Sequence, residues 1–187
     1  MNEKSQKERM IAGERYDAHC EEMINIRLKV KRLLHKLNVT EYYTDNFKSV
    51  MHELCPNSAK SIHLEPPFYC DYGDLIYAEE NVFINFGAVI LDGGGVTIGA
   101  DTLIAPGVHI YTAQNPIEVA EREEWEDCKP VKIGKKCWIG GHVTICPGVT
   151  IGDRCVIGAG SVVVRDIPDD SLAVGNPARV IRAIKNN

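Results

Sequence analysis

The chain has 187 residues, 44% of them hydrophobic and 25% charged, with a formal net charge of -5. This is the balance of a globular protein and the wrong sign for a nucleic-acid binder. No apolar run approaches the ~20 residues of a membrane helix, and Met1–Met10 has no apolar signal core. A cytoplasmic location with reduced thiols is therefore expected.

The first elements are helical. Lys4–Tyr16 and Glu21–Leu37 carry helical periodicity, with Ile24, Leu28 and Leu34 among the candidates for burial. Thr44–Leu54 reads as a third helix with Thr44 or Asp45 as its N-cap. Residues 1–56 thus form a helical segment suited to covering the open end of a solenoid, as solenoid ends require.

Residues 57–187 obey another rule. Branched residues recur every six positions at Ile133, Ile139, Ile145, Ile151, Ile157 and Val163, and glycine comes next at Gly134, Gly140, Gly152 and Gly158. Four residues after each branched position stand Cys137, Val143, Val149, Cys155, Ser161 and Ile167. A six-residue period fits neither an α-helix nor an alternating strand. It suits a triangular prism, the left-handed parallel β-helix, in which one hexapeptide takes each face and three make a turn. Residues 18 apart then stack at the strand spacing of ~4.8 Å, so Cys137 and Cys155 become core neighbours.

The register extends back through Ala78, Ile84, Ile90, Ile98, Ile104 and Ile110, with one step of eight residues across Asp92-Gly93-Gly94-Gly95. That step predicts a two-residue bulge. Between Ile110 and Ile133 lie seventeen residues more than one repeat allows. The acidic insert near 113–130 must leave the prism as a loop, and long loops in compact folds are commonly functional. None of the seven cysteines forms a CxxC pair, so a zinc ribbon is not expected. Beyond Gly175 the repeat gives way to a short basic C-terminal helix or tail.

Hexapeptides establish a fold, not a reaction. Narrower features are Glu8-Arg9-Met10-Ile11-Ala12-Gly13-Glu14-Arg15-Tyr16, Glu65-Pro66-Pro67-Phe68, Asp71-Tyr72-Gly73, and Ile84-Asn85-Phe86. Further along come Ala105-Pro106-Gly107-Val108-His109-Ile110-Tyr111-Thr112-Ala113, Trp138-Ile139-Gly140-Gly141, and Gly175-Asn176-Pro177-Ala178-Arg179-Val180-Ile181-Arg182. Over nearly its whole length the chain resembles the maltose/galactoside O-acetyltransferase family. The resemblance implies a homotrimer with active sites in clefts between prisms, acetyl-CoA as donor, a sugar or similar small hydroxyl compound as acceptor, and no metal.

The family's general base is a histidine in Thr-Ala-x-His-Pro. Here the segment reads Thr112-Ala113-Gln114-Asn115-Pro116. Asn115 has no basic lone pair, although it can still orient a hydroxyl. Losing a general base typically lowers the rate by ~10²–10⁴-fold. Two readings result: an O-acetyltransferase that is slow or uses another base, and a catalytically weak or inactive trimer that binds acetyl-CoA or a sugar. By resemblance, Asp17, Asp71, Asn85 and Asp92 match acceptor-binding positions, Asp92 doubling as a shaper of the bulge. Gly141, Ala159, Val164, Arg165, Arg179 and Arg182 match the acetyl-CoA groove, where the arginines would meet phosphates.

Of the histidines, His142 is a substitute-base candidate, and His109 reads as structural. His19, His35, His52 and His63 read as ordinary surface or satisfied residues. Trp138 reads as an interface residue. A prism-shaped carbonic anhydrase would need three histidines around zinc; only His109 and His142 lie on the prism.

Overall fold

The computed structural model describes residues 3–185. Three helices precede the strands: α1 (Gln6–Ile11), α2 (Glu21–Val39) and α3 (Asp45–Leu54). Helix α1 opens with a reciprocal capping box between Ser5 and Glu8, which satisfies two otherwise orphaned N–H groups. It is shorter than its periodicity predicts, because Gly13 adopts a left-handed φ of +70° and the chain turns away. Thr44 caps α3 by accepting from the Phe47 N–H at 3.1 Å.

The buried stripe of α2 is Met23, Val30, Leu34 and Leu37. Leu34 lies in it as expected, but Ile24 and Leu28 are exposed. The covered face is set by Met23, and Ile24 lies about 100° round the helix from it.

From His63 onward the chain winds into a prism of three parallel faces, so His63, expected to lie outside the prism, stands on its first strand opposite Phe83. The first carries strands His63–Leu64, Phe83–Ile84, Leu103–Ile104, Trp138–Ile139, Val156–Ile157 and Ser171–Gly175. The second carries Phe68–Cys70, Ala88–Leu91, His109–Tyr111, Thr144–Ile145 and Val162–Val163. The third carries Ile76–Ala78, Val96–Ile98, Val131–Ile133 and Thr150–Ile151.

Side-chain register explains the core. Ile133 pairs with Ile151, Ile139 with Ile157 and Ile145 with Val163, each 18 residues apart. Earlier partners are 20 apart, as in Leu64 with Ile84 and Cys70 with Ile90, because each of those turns contains one two-residue bulge. Where the insert intervenes the offset is 35, as in Ile104 with Ile139. Every branched register residue named above is buried. Cys137 and Cys155 are buried free thiols that donate to the Gly152 and Pro168 carbonyls at 3.1 Å.

Both ends of the prism are covered. Helices α2 and α3 contribute Val30, Leu34, Leu37, Phe47, Val50, Met51 and Leu54 to the core that contains Leu64, Phe68 and Cys70. The Asn38 amide bonds the Phe68 N–H at 2.9 Å and the Phe68 carbonyl at 3.0 Å. A side chain there does what a neighbouring strand would otherwise do for an edge. At the other end, the expected C-terminal helix or tail is a strand, Ala178–Ala183, folded back antiparallel on Ser171–Gly175. It bonds the last edge, a stronger demand than the weak helical preference of a short basic segment.

The insert is likewise more ordered than a loop. Ala113–Gln114 and Asp127–Cys128 pair antiparallel, and a short helix, α4 (Val119–Arg122), lies between them. Thr112 is fully buried at its root, accepting from the Gly94 N–H at 2.8 Å and donating to the Leu91 carbonyl at 2.5 Å. No helix among the described residues is long and apolar enough to cross a membrane.

Candidate active site

The site is built where the bulges stack. The step from Cys70 to Ala78 is also eight residues, so the segment 71–75 projects beneath 92–95. Asp92 joins the two. It is fully buried. Its Oδ1 accepts from the Asp71 and Tyr72 N–H groups at 3.1 and 2.9 Å, and its Oδ2 from the Gly73 N–H at 2.7 Å. Burial pushes its carboxyl up to about 6, against the pull of those donors. The Asp92 carboxylate is thus committed to shaping the bulge and is not open to an acceptor. Gly73 takes a φ of +75°, and a β-carbon there would collide with the Leu54 carbonyl.

The N-terminal segment clamps the insert onto these bulges. Tyr16 and Glu126 exchange backbone hydrogen bonds at 3.2 Å, and the Tyr16 hydroxyl donates to Glu126 Oε2 at 3.0 Å. Arg15 pairs with Glu121 at 2.8 Å. Met10, Tyr16, Ala18, Met23, Tyr72, Leu75 and Cys128 form a second apolar cluster beneath. Arg27 donates to the Ala18 carbonyl at 2.6 Å and approaches the Tyr72 hydroxyl at 3.4 Å.

Together these elements enclose a cleft of about 240 Å³ that includes His19, Arg27, Asp71, Tyr72, Ala113 and Glu126. Asp71 is half-buried, and its carboxylate makes no hydrogen bond among the described residues. Burial raises its carboxyl above the ordinary range, and Lys31 and Arg27 oppose the shift. Burial also pushes the Tyr72 hydroxyl up to about 12 and the Cys128 thiol up to about 11, so both are protonated at neutral pH. Asn115 is exposed, two residues beyond Ala113. Asp17 lies beside the cleft, its Oδ1 accepting from the His19 N–H at 2.8 Å.

The remaining predicted residues lie elsewhere on the prism. Asn85 is at the corner between the first and second faces, with the strand Ala88–Leu91 between it and Asp92. Gly141 and Ala159 occupy the same corner, where the Gly160 N–H meets the Gly141 carbonyl at 2.9 Å. His142 is there too, with its ring over Gly107. Gly107 takes a left-handed φ of +67°, which favours glycine, and a β-carbon there would also lie 2.5 Å from the imidazole. His142 and Asn115 therefore stand at opposite ends of the second face.

Three comparisons bear on this arrangement. Residues 9–54 match the family described as "Maltose acetyltransferase hexapeptide capping motif", and residues 130–165 match "Bacterial transferase hexapeptide (six repeats)". Galactoside O-acetyltransferase of Escherichia coli is 39% identical over 181 residues, covering 96% of this chain and 89% of that protein. The crystal structure of a maltose O-acetyltransferase from Clostridium difficile is 42% identical, with a TM-score of 0.95 over 99% of this chain and 100% of that one. The chain belongs to the maltose/galactoside O-acetyltransferase family.

A Vibrio cholerae hexapeptide-repeat acetyltransferase complexed with acetyl-CoA is 37% identical, with a TM-score of 0.88 over 98% of this chain and 100% of that one. In the present member of the maltose/galactoside family, Val164 and Arg165 are exposed just past the second face. Arg179 and Arg182 are exposed on the final strand, and among the described residues each uses one N–H on a main-chain carbonyl.

Of the residues that line this cleft, sequence reasoning named Asp71, read His19 as an ordinary surface or satisfied residue and passed over Arg27, Tyr72 and Glu126. The usable signals were faint. Arg27 is one helical turn after the buried Met23, and Glu126 sits in the long insert of the prism. The His109 ring, expected to be structural, bonds the Tyr111 hydroxyl at 2.6 Å on the outer surface of the second face.

Proposed function

We propose that the protein transfers an acetyl group from acetyl-CoA to a hydroxyl of a sugar or similar small acceptor, in a cleft completed between subunits of a homotrimer. The observation that carries this reading is the division of the site. One corner of the prism bears Asp71, Ala113 and Asn115, and another bears Asn85, Gly141 and Ala159, with the second face between them. A second copy can bring its own corner across the gap. Exposed Leu103 and Trp138, adjacent on the first face, supply an apolar surface for such a contact.

The backbone at Gly141 and Ala159 would hold the pantetheine arm, and Arg165, Arg179 and Arg182 the phosphates, a role that suits planar guanidinium groups. Asp71 and Asn85 would bind the acceptor, with Asp17 beside them. The acceptor oxygen attacks the thioester carbonyl carbon, the carbon–sulfur bond breaks, and CoA leaves as the thiol. Asn115 orients the hydroxyl without taking its proton.

The second reading, a trimer that binds acetyl-CoA or a sugar without turnover, is favoured by Asn115 alone. Free-thiol release from acetyl-CoA with glucosides, galactosides and maltose separates the two. We expect slow turnover by the wild type and faster turnover by Asn115→His. Turnover by Asn115→His alone would establish the binding reading; silence of both would remove the acetyl-transfer reading.

A further inference from the structure

We propose that Asp71 is the general base that removes the acceptor proton in this chain. The inference rests on the acetyl-transfer reading above and supplies the group that Asn115 cannot be. The cleft at the stacked bulges offers few candidates. Glu126 is engaged by the Tyr16 hydroxyl at 3.0 Å. Asp17 holds the His19 N–H, and Asp92 is saturated by three backbone donors. His142 lies at the other end of the second face. His19 borders the cleft, but it is exposed on the connection between α1 and α2.

Among the described residues, Asp71 alone of these carboxylates has no protein donor on its side chain, and it lines the same cleft as Ala113. Its backbone is fixed, since its N–H is held at 3.1 Å by the buried Asp92. A base held by a rigid bulge meets the positional demand of proton transfer better than one on an exposed connection. The charged and titratable groups around it are Arg27 and Lys31 of α2, Glu126 and Cys128 of the hairpin, Tyr16 and His19 of the N-terminal segment, and neighbouring Tyr72 and Asp92. Burial outweighs the two cations and raises the basicity of the carboxylate, the direction a base working near neutrality needs.

The step balances without a further reagent. The acceptor O–H gives its proton to an Asp71 oxygen while its lone pair bonds to the thioester carbonyl carbon. Collapse of the tetrahedral adduct breaks the carbon–sulfur bond. The departing thiolate takes the proton from Asp71, leaving an acetyl ester, CoA thiol and the original carboxylate.

The test is the pH profile of kcat/KM for four proteins: wild type, Asp71→Asn, Asp71→Asn with Asn115→His, and His19→Gln. The wild-type rate should rise with pH along an acid limb above the ordinary carboxylate range of about 4. Asp71→Asn should lose ~10²–10⁴-fold in kcat/KM and the limb with it. Adding Asn115→His should recover turnover, with a limb near ~6.5, where imidazole titrates.

An unchanged limb in Asp71→Asn would overturn the proposal, as would a loss confined to acceptor KM. So would failure of the double variant to recover, since Asp71 would then serve binding or folding. A comparable loss of the limb in His19→Gln alone would give the role to that imidazole. These outcomes leave acetyl transfer standing, whereas silence of both wild type and Asn115→His would remove the acetyl-transfer reading itself.

Discussion

Replacing Asp92 by alanine tests the construction of the site at its most buried point. The substitution strips the half-buried N–H of Asp71 and the buried N–H groups of Tyr72 and Gly73 of acceptors at 3.1, 2.9 and 2.7 Å. An unsatisfied buried donor costs about 1–3 kcal/mol, so the gross loss is about 6 kcal/mol. Against it stands relief of a buried charge. The Asp92 carboxyl is raised from 3.8 to about 6, so holding it ionised at neutral pH costs about 3 kcal/mol. The net destabilisation at pH 7.5 is then about 3 kcal/mol, or about 10 °C in Tm for a domain of this size.

The pH dependence has a definite sign. Asp92 binds its proton more tightly when folded, so its contribution to stability is complete below about pH 4 and declines as pH rises through about 6. The gap between wild type and variant should therefore widen, by about 2 kcal/mol, from pH 7.5 to pH 4.5. Urea unfolding monitored by circular dichroism at matched protein concentration measures both gaps. A gap below about 1 kcal/mol at pH 7.5, or one that narrows on acidification, would refute the reasoning. Because the same carboxylate fixes the Asp71 backbone, turnover should fall even where the variant is fully folded.

Packing and charge give two further expected outcomes. Ile139 is fully buried between Ile104 and Ile157, so Ile139→Ala should cost about 2–5 kcal/mol, read as a lowered urea midpoint with an unchanged slope. Arg179→Ala combined with Arg182→Ala should raise KM for acetyl-CoA about tenfold or more, the scale of one or two lost charge-assisted hydrogen bonds, while leaving the thermal midpoint within a few degrees. Equal KM values at low and moderate salt would remove these arginines from the phosphate contact.

The sequence by itself determined the repeat and almost everything that depends on it. A period of six with branched residues at Ile133, Ile139 and Ile145 admits one architecture, because each position must fill the same narrow core. Hence the faces, the bulge at 92–95 and the point of departure of the insert could all be read from spacing. The helices before the prism were legible in type and less so in extent. The buried stripe of α2 was misread at Ile24 and Leu28, since which side of an amphipathic helix is covered depends on its partner.

Only the tertiary structure decided what the departures from the repeat do. The insert looked like an acidic loop, and the fold made it a hairpin, because Tyr16 and Arg15 lie opposite Glu126 and Glu121. The C-terminal segment became a strand because an open sheet edge awaited it. Asp92 was committed to three amides and the Asp71 carboxylate was left without a donor among the described residues, a distinction that two aspartates in similar bulges do not carry in their sequence. Periodicity reports what is repeated; a site is made where the repeat is broken, by residues far apart in the chain whose contacts only the folded backbone brings about.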